Sequence, residues 1–280
     1  MQDSFPKLAL GTWLMGGTKD PDPDNDDKKD IAAVKTALDS GIILIDTAQN
    51  YANGRCEELV GLAIADYPRE DYQILTKQNR IHLGYDQVLS GFYDSLNRLN
   101  LDYVDYFLCH APNPDFDLTE FFKATNTLHK EGVLKHVGVS NFGPKSLQIA
   151  LETSETPIAV NQVSFSLSDS GILTTHTYDF CLKNNIPVQA YRTLADIADD
   201  PEIFSALKSL SDKYELNPHQ IALAYLNSYD GICFTIKSSS TGHWQQIKNA
   251  LEAQLDTADI AKLNAIHLTK KSGFSNFLEM

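Results

Sequence analysis

Four side chains with complementary acid–base chemistry stand at or just beyond the ends of short apolar runs. They are Asp46 after GIILI, Tyr51 five residues on in QNYANGR, Lys77 after QILT and His110 after YVDYFLC. A tyrosine titrates near pH 10 in water, too high to act well as an acid at neutral pH unless its anion is stabilised. A lysine ammonium alongside stabilises that anion, and a buried carboxylate such as Asp46 keeps the lysine charged in a pocket of low dielectric. A neutral histidine then orients a carbonyl or hands on a proton. Each residue also has a plainer explanation: Asp46 as a helix cap, Lys77 as a solvated loop lysine, His110 as a hydrogen-bonded structural histidine, Tyr51 as a surface aromatic. What favours the chemistry is their convergence on one rim, and that depends on the elements that carry them.

Short apolar, β-branched runs recur along the whole chain, each followed by a stretch with helical periodicity, the pattern of parallel β/α units. Eight runs are read: Leu8–Leu10, Ile42–Ile45, Gln73–Thr76, Val104–Cys109, His136–Val139, Ala159–Val163, Pro187–Ala190 and Ile232–Thr235. Between them, Val88, Phe92, Leu96 and Leu99 share one face of a helix over Tyr85–Asn100 that Asp86 is placed to cap. Ile31, Val34 and Leu38 repeat the spacing before Gly41, and further helices are expected to begin at Pro144 and at Pro218 after Asn217. The 280 residues suit a single α/β domain over 1–280, a (β/α)8 TIM barrel, since such barrels run to about 250 residues before insertions.

In such a barrel the active site forms at the carboxyl ends of the strands. Polar residues collect at nearly every one: Gly11-Thr12-Trp13, Asp46, Lys77, His110, Ser140-Asn141, Asn161-Gln162, Tyr191-Arg192 and Lys237-Ser238-Ser239. An open dinucleotide-binding sheet is disfavoured, because no G-x-G-x-x-G follows the first strand and no Tyr-x-x-x-Lys pair occurs.

Composition narrows the function further. A hydrophobic fraction of 42% and a net charge of −14 describe a globular chain with a large core and no basic surface for nucleic acid or an anionic membrane. Much of the acid lies in DPDPDNDDKKD, Asp20 to Asp30, read as a solvated loop before a helix. Cys56, Cys109, Cys181 and Cys233 form no CxxC pair, so a reducing cytoplasmic compartment is expected. No apolar run approaches the roughly 20 residues of a membrane span, and MQDSFPKLAL lacks a secretory h-region.

The chain resembles the aldo-keto reductases over essentially its whole length. IDTAQNYANGRCEELVG is similar to that family's second-strand signature, and LDYVDYFLCH to the strand that ends in its histidine. KHVGVSNF and VNQVSFSL resemble its fifth and sixth strands, VQAYRTLA its seventh, and TIKSSS its phosphate-binding segment. The resemblance implies NADPH, with NADH as the alternative, giving hydride to a small-molecule carbonyl. It implies Tyr51 as proton donor, Lys77 and Asp46 as the groups that tune it, and His110 as the group that positions the carbonyl. Ser140, Asn141 and Gln162 would hold the nicotinamide carboxamide, Tyr191 would stack on its ring, and Lys237 would face the 2′-phosphate. Gly11, Thr12, Trp13 and Asp46 are expected to touch the cofactor as well, with Arg192 and Leu194 beyond the seventh strand and Ser238, Ser239 and His243 beyond the eighth. Three departures stand out: Ile236 where proline is frequent, His243 where arginine is frequent, and Arg192 where a small residue is common.

Two other classes compete. A cofactor-binding regulatory barrel with little turnover would retain the same residues. A metal-dependent barrel enzyme would need clustered His and carboxylate ligands, and only Asp46 and His110 offer themselves, so no metal is expected. Trp13, Tyr51 and His110 are the expected substrate pocket, with Phe116, Phe274 and Phe277 as further aromatic candidates. An aromatic rim with few free cations suits apolar aldehydes or small diketones.

Overall fold

The computed structural model describes residues 5–270 and 277–279. Its strands are β1 (Leu8–Gly11), β2 (Leu44–Asp46), β3 (Gln73–Gln78), β4 (Val104–Cys109), β5 (Leu134–Ser140), β6 (Ile158–Ser164), β7 (Val188–Tyr191) and β8 (Ile232–Ile236). They pair in parallel in chain order, and β1 closes on β8 to complete the barrel. All eight predicted strands are present, but several run past the point where the sequence turns polar. Lys77 and Gln78 still pair with Leu108 and Cys109, and Ser140 pairs with Gln162. Backbone hydrogen bonding continues irrespective of side-chain polarity, so an apolar run marks the middle of a strand better than its end.

The helices are α1 (Asp27–Asp39), α2 (Arg55–Ile64), α3 (Tyr85–Leu99), α4 (Leu118–Lys130), α5 (Pro144–Thr153), α6 (Gly171–Thr174) and α7 (Thr177–Lys183). They continue with α8 (Pro201–Tyr214), α9 (Pro218–Leu226), α10 (Thr241–Glu252) and α11 (Thr257–His267). Proline opens α5 and α9 as expected, and the Asn217 side chain accepts from the Gln220 amide to cap α9. Two local expectations need correction. The cap of α3 is Gly84, with Asp86 inside the first turn, where a carboxylate suits the positive end of the helix dipole. The acidic run is only partly loop: Asp26 caps α1, and Asp30 lies inside it while accepting from the Gly16 amide at 2.9 Å. No described helix is long and apolar enough to cross a membrane.

The core has two parts set by the two-residue alternation of strands. Ile45, Ile74, Phe107 and Val163 point outward to the helices, whereas Ala9, Leu44, Leu75, Tyr106, Leu108 and Val160 form a separate cluster inside the barrel. Phe5 meets Tyr106 edge-on at 5.1 Å at the foot of this inner cluster, and His136 stacks on the same ring. Two residues further along each strand the inward position turns polar: Leu44 gives way to Asp46, Leu75 to Lys77, Leu108 to His110 and Val160 to Gln162. The lower barrel is therefore an apolar plug and the upper barrel a site.

Helix α2 packs on α3 through Gly61, where an added Cβ would lie 2.8 Å from the Leu99 carbonyl oxygen and 2.9 Å from that of Arg98. Both obstacles are backbone, which cannot swing aside. Gly61→Ala should therefore lower unfolding free energy by about 1–3 kcal/mol in spite of alanine's higher helix propensity, read from urea denaturation. An unchanged or raised midpoint would show that the two helices separate without cost.

Candidate active site

The inward polar positions line a cavity of about 620 Å³ at the carboxyl ends of the strands. Beneath its wall lies Lys77, completely buried, with Asp46 nearly so. The Lys77 ammonium donates to Asp46 Oδ1 at 2.5 Å, to the Thr47 carbonyl at 2.9 Å and to Tyr51 Oη at 3.3 Å. Three N–H donors thus find three acceptors. The other Asp46 oxygen accepts from Gln162 Nε2 at 2.7 Å, and that amide also donates to Gln189 Oε1 at 2.8 Å. Thr12 fixes the backbone of Asp46, donating to its carbonyl through both the amide and the hydroxyl.

Tyr51 enters this network from outside β2. It opens a 3-10 turn, Tyr51–Gly54, in which Ala52, Asn53 and Gly54 all have positive φ and the Ala52 amide is tied to the Thr18 carbonyl at 2.8 Å. The Tyr51 ring is met edge-on by Trp13 at 4.8 Å and by the His110 imidazole at 5.7 Å. Its hydroxyl is left facing Lys77 and the cavity.

The electrostatics follow from burial and pairing. Burial pulls Lys77 down, but the charge of Asp46, then Tyr51, outweighs it and holds the ammonium above its ordinary range. Burial pushes Tyr51 up; Lys77 opposes this and Asp46 reinforces it, so the phenol stays above its usual value. The lysine therefore limits a rise that burial causes. Burial, then Lys77 and Arg80, push His110 down to about 3, leaving a neutral imidazole at working pH.

The remaining expected residues divide into two groups. Gly11, Thr12, Trp13, Ser140, Asn141 and Gln162 lie on the cavity wall, as do Tyr191, Arg192, Leu194 and Lys237. Asn141 sits at φ 61°, a conformation asparagine tolerates, and donates to the His110 carbonyl and to Ser140 Oγ, both at 3.1 Å, while its Oδ1 accepts from the Tyr191 hydroxyl at 2.7 Å. Lys237 reaches across to the Trp13 carbonyl at 2.8 Å. Ser238, Ser239 and His243 do not line the cavity; after β8 the chain turns outward into α10, whose first turn exposes His243. Phe277 is on the wall, Phe116 packs half-buried on the outer core, and Phe274 lies outside the described residues.

The wall also holds Asn50, Asn79, Arg80 and Thr235, which the linear reading missed. Thr235 was legible as an inward position of β8. Asn79 and Arg80 follow Lys77 by two and three residues, just past the strand end at which the reading stopped. Arg80 places a cation on a rim expected to have few. Among the described residues no group of three or more His, Cys, Asp or Glu is arranged to hold a metal.

The model of the Aldo/keto reductase family matches residues 7–267. The methylglyoxal reductase YeaE of Escherichia coli is 29% identical, the alignment covering 96% of this chain and 93% of that one. Among solved structures, the thermostable aldo-keto reductase Tm1743, in complex with the inhibitor epalrestat, superposes with a TM-score of 0.88 at 32% identity, covering 94% of this chain and 95% of its own. An aldo-keto reductase from Klebsiella pneumoniae in complex with NADPH gives a TM-score of 0.81 at 28% identity, covering 94% and 91%.

The depressed imidazole has a consequence for stability. Between pH about 3 and the ordinary 6.5, the unfolded chain binds a proton at residue 110 that the folded chain does not, so stability falls as pH falls through this window. From pH 7 to pH 5 His110 should account for up to about 2 kcal/mol of that fall. His110→Asn should therefore lose less stability over this interval than the parent in paired urea titrations; equal losses would mean that the imidazole protonates in the folded state.

Proposed function

The chain belongs to the aldo/keto reductase family, and from that premise we propose that residues 1–280 act as one barrel enzyme that reduces an aldehyde or ketone to the alcohol with NADPH, Tyr51 giving the proton. The observation that carries this reading is the buried Asp46–Lys77 pair aimed at the Tyr51 hydroxyl on a cavity wall shared with His110. When bound, NADPH supplies the hydride that a carbonyl carbon receives.

Several features of the wall suit that cofactor. Thr235 Oγ1 and Asn50 Oδ1 are buried there with no hydrogen-bond partner among the described residues, and Gly11 presents bare backbone opposite the threonine, where an added Cβ would meet that hydroxyl at 3.1 Å. Ser140 and Asn141 offer hydroxyl and amide groups suited to a carboxamide, and Tyr191, tethered by its hydroxyl to Asn141, offers a ring to stack on. Gln162 spends its amide donors on Asp46 and Gln189, so its main service is to hold the carboxylate. Lys237 stands on the rim as a cation for the phosphate. Ser238, Ser239 and His243 lie nearer the start of α10, beyond the cavity, and would serve only a part of the cofactor that leaves the barrel mouth.

The protein's own steps then follow. The carbonyl oxygen sits between the Tyr51 hydroxyl and the neutral His110 imidazole, which orients it by a hydrogen bond. As negative charge grows on that oxygen, the Tyr51 O–H bond breaks, the proton moves to the oxygen and its electron pair stays on the phenolate. Lys77, 3.3 Å away, stabilises that phenolate, and Asp46 keeps Lys77 charged in spite of burial. A raised Tyr51 also means that the hydroxyl is protonated, and so able to donate, across the neutral range.

Tyr51→Phe should retain NADPH binding and lose about 10²–10⁴ in rate, followed by NADPH absorbance with methylglyoxal and a panel of aldehydes and ketones. Retention of most of kcat, where chemistry limits turnover, would remove Tyr51 from the mechanism. Lys77→Met leaves Asp46 buried without its counter-charge and should cost about 3–5 kcal/mol of stability as well as rate. A Lys77→Met protein of parental stability would show the pair to be dispensable.

A further inference from the structure

The cavity carries a cation with no task in the steps above. Among the charged side chains near its centre, Lys77 is neutralised by Asp46, and His110 is uncharged. Arg192 pairs with Asp196 at 3.1 Å. Arg80 has no carboxylate within ion-pair distance among the described residues, although the chain as a whole is strongly acidic. Its guanidinium lies instead over the ring of Phe277, 5.2 Å from the centroid.

Arg80 is held in place from several sides. The Asn113 side chain donates to its carbonyl at 3.0 Å, and the Asn79 amide before it donates to Gln49 Oε1 at 3.1 Å. Phe277 is fixed in turn by Leu278, which is buried against Gly143 so closely that a Cβ there would collide with the Leu278 carbonyl. A guanidinium set over an aromatic face, with no side-chain hydrogen bond to another described residue, has donors available, and its planar fork matches the two oxygens of a carboxylate.

We propose that Arg80, backed by Phe277, receives a carboxylate on the far end of the substrate, so that the preferred carbonyl compounds are anionic aldehydes or ketones. This rests on the reductase reading of the same cavity and narrows it. A single guanidinium fork matches a carboxylate monoanion. The apolar preference expected from sequence gives way because the aromatic rim is a platform for the arginine.

The test pairs 4-carboxybenzaldehyde with its methyl ester, which has the same ring and aldehyde without the charge. In the parent kcat/KM should favour the acid by about tenfold, the scale of a charge-assisted contact on an exposed rim. Arg80→Gln should abolish that ratio through KM and not kcat, and Arg80→Lys should restore part of it. A binding measurement independent of turnover accompanies it: benzoate and benzamide are titrated against the fluorescence of Trp13, which lies on the cavity wall and is 46% exposed, whereas Trp244 is fully buried. Benzoate should bind the parent more tightly than benzamide, and Arg80→Gln should erase the difference. Reduction of both aldehydes with a ratio that Arg80→Gln leaves unchanged overturns the carboxylate role while the reductase reading stands. No turnover of either aldehyde, together with Arg80-dependent benzoate binding, overturns the reductase reading and leaves the anion site.

Discussion

A buried lysine paired with a buried aspartate is the constraint around which the upper barrel is arranged. Taking both charges from water costs several kcal/mol apiece, and their attraction repays it only when the remaining donors and acceptors are met. Here they are met: Lys77 also reaches the Thr47 carbonyl and the Tyr51 hydroxyl, and Asp46 also accepts from Gln162. Such a pair adds little to stability by comparison with a hydrophobic filling of the same space, so its presence is better explained by what it does to the neighbour whose hydroxyl faces the cavity. That neighbour is a phenol which burial alone would hold still further above its ordinary range.

The barrel supplies the positional accuracy that the pair needs. Asp46, Lys77 and Gln162 come from three strands of a closed sheet, and each is the inward residue directly above an apolar one. Closure leaves no strand edge free to slip, and slippage by one residue would exchange Lys77 for Thr76. Thr76 faces the other way, donating to Glu57 at 2.5 Å, and Glu57 is paired with Arg98 at 2.7 Å. Strand β3 therefore carries a charged network on each face, and either network would be broken by a change of register.

Legibility in the sequence followed from the same alternation. Asp46, Lys77 and His110 stood out because each follows a mostly apolar run, and the eight runs were enough to define the barrel. Gln189 did not stand out, since an inward residue in the middle of β7 looks like any other interior position. Arg80 escaped for a different reason: what brings it to Phe277 is contact between a strand-end loop and a segment nearly 200 residues away. Ser238, Ser239 and His243 were named through the resemblance of TIKSSS to a phosphate-binding segment, and they stand outside the cavity because the chain leaves it for a helix after β8. The pKa of Tyr51 was misjudged in sign because its largest cause, burial, is a property of the folded surroundings.

The apolar plug beneath the site has a kinetic meaning as well as a structural one. With Phe5, Tyr106 and the leucines of β2, β3 and β4 filling the lower barrel, the cavity has a floor of packed side chains. Over such a floor, a molecule seated deep beneath another would have to arrive first and leave last. Traffic order, usually treated as a property of the ligands, would then be set by the side chains that pack the lower barrel.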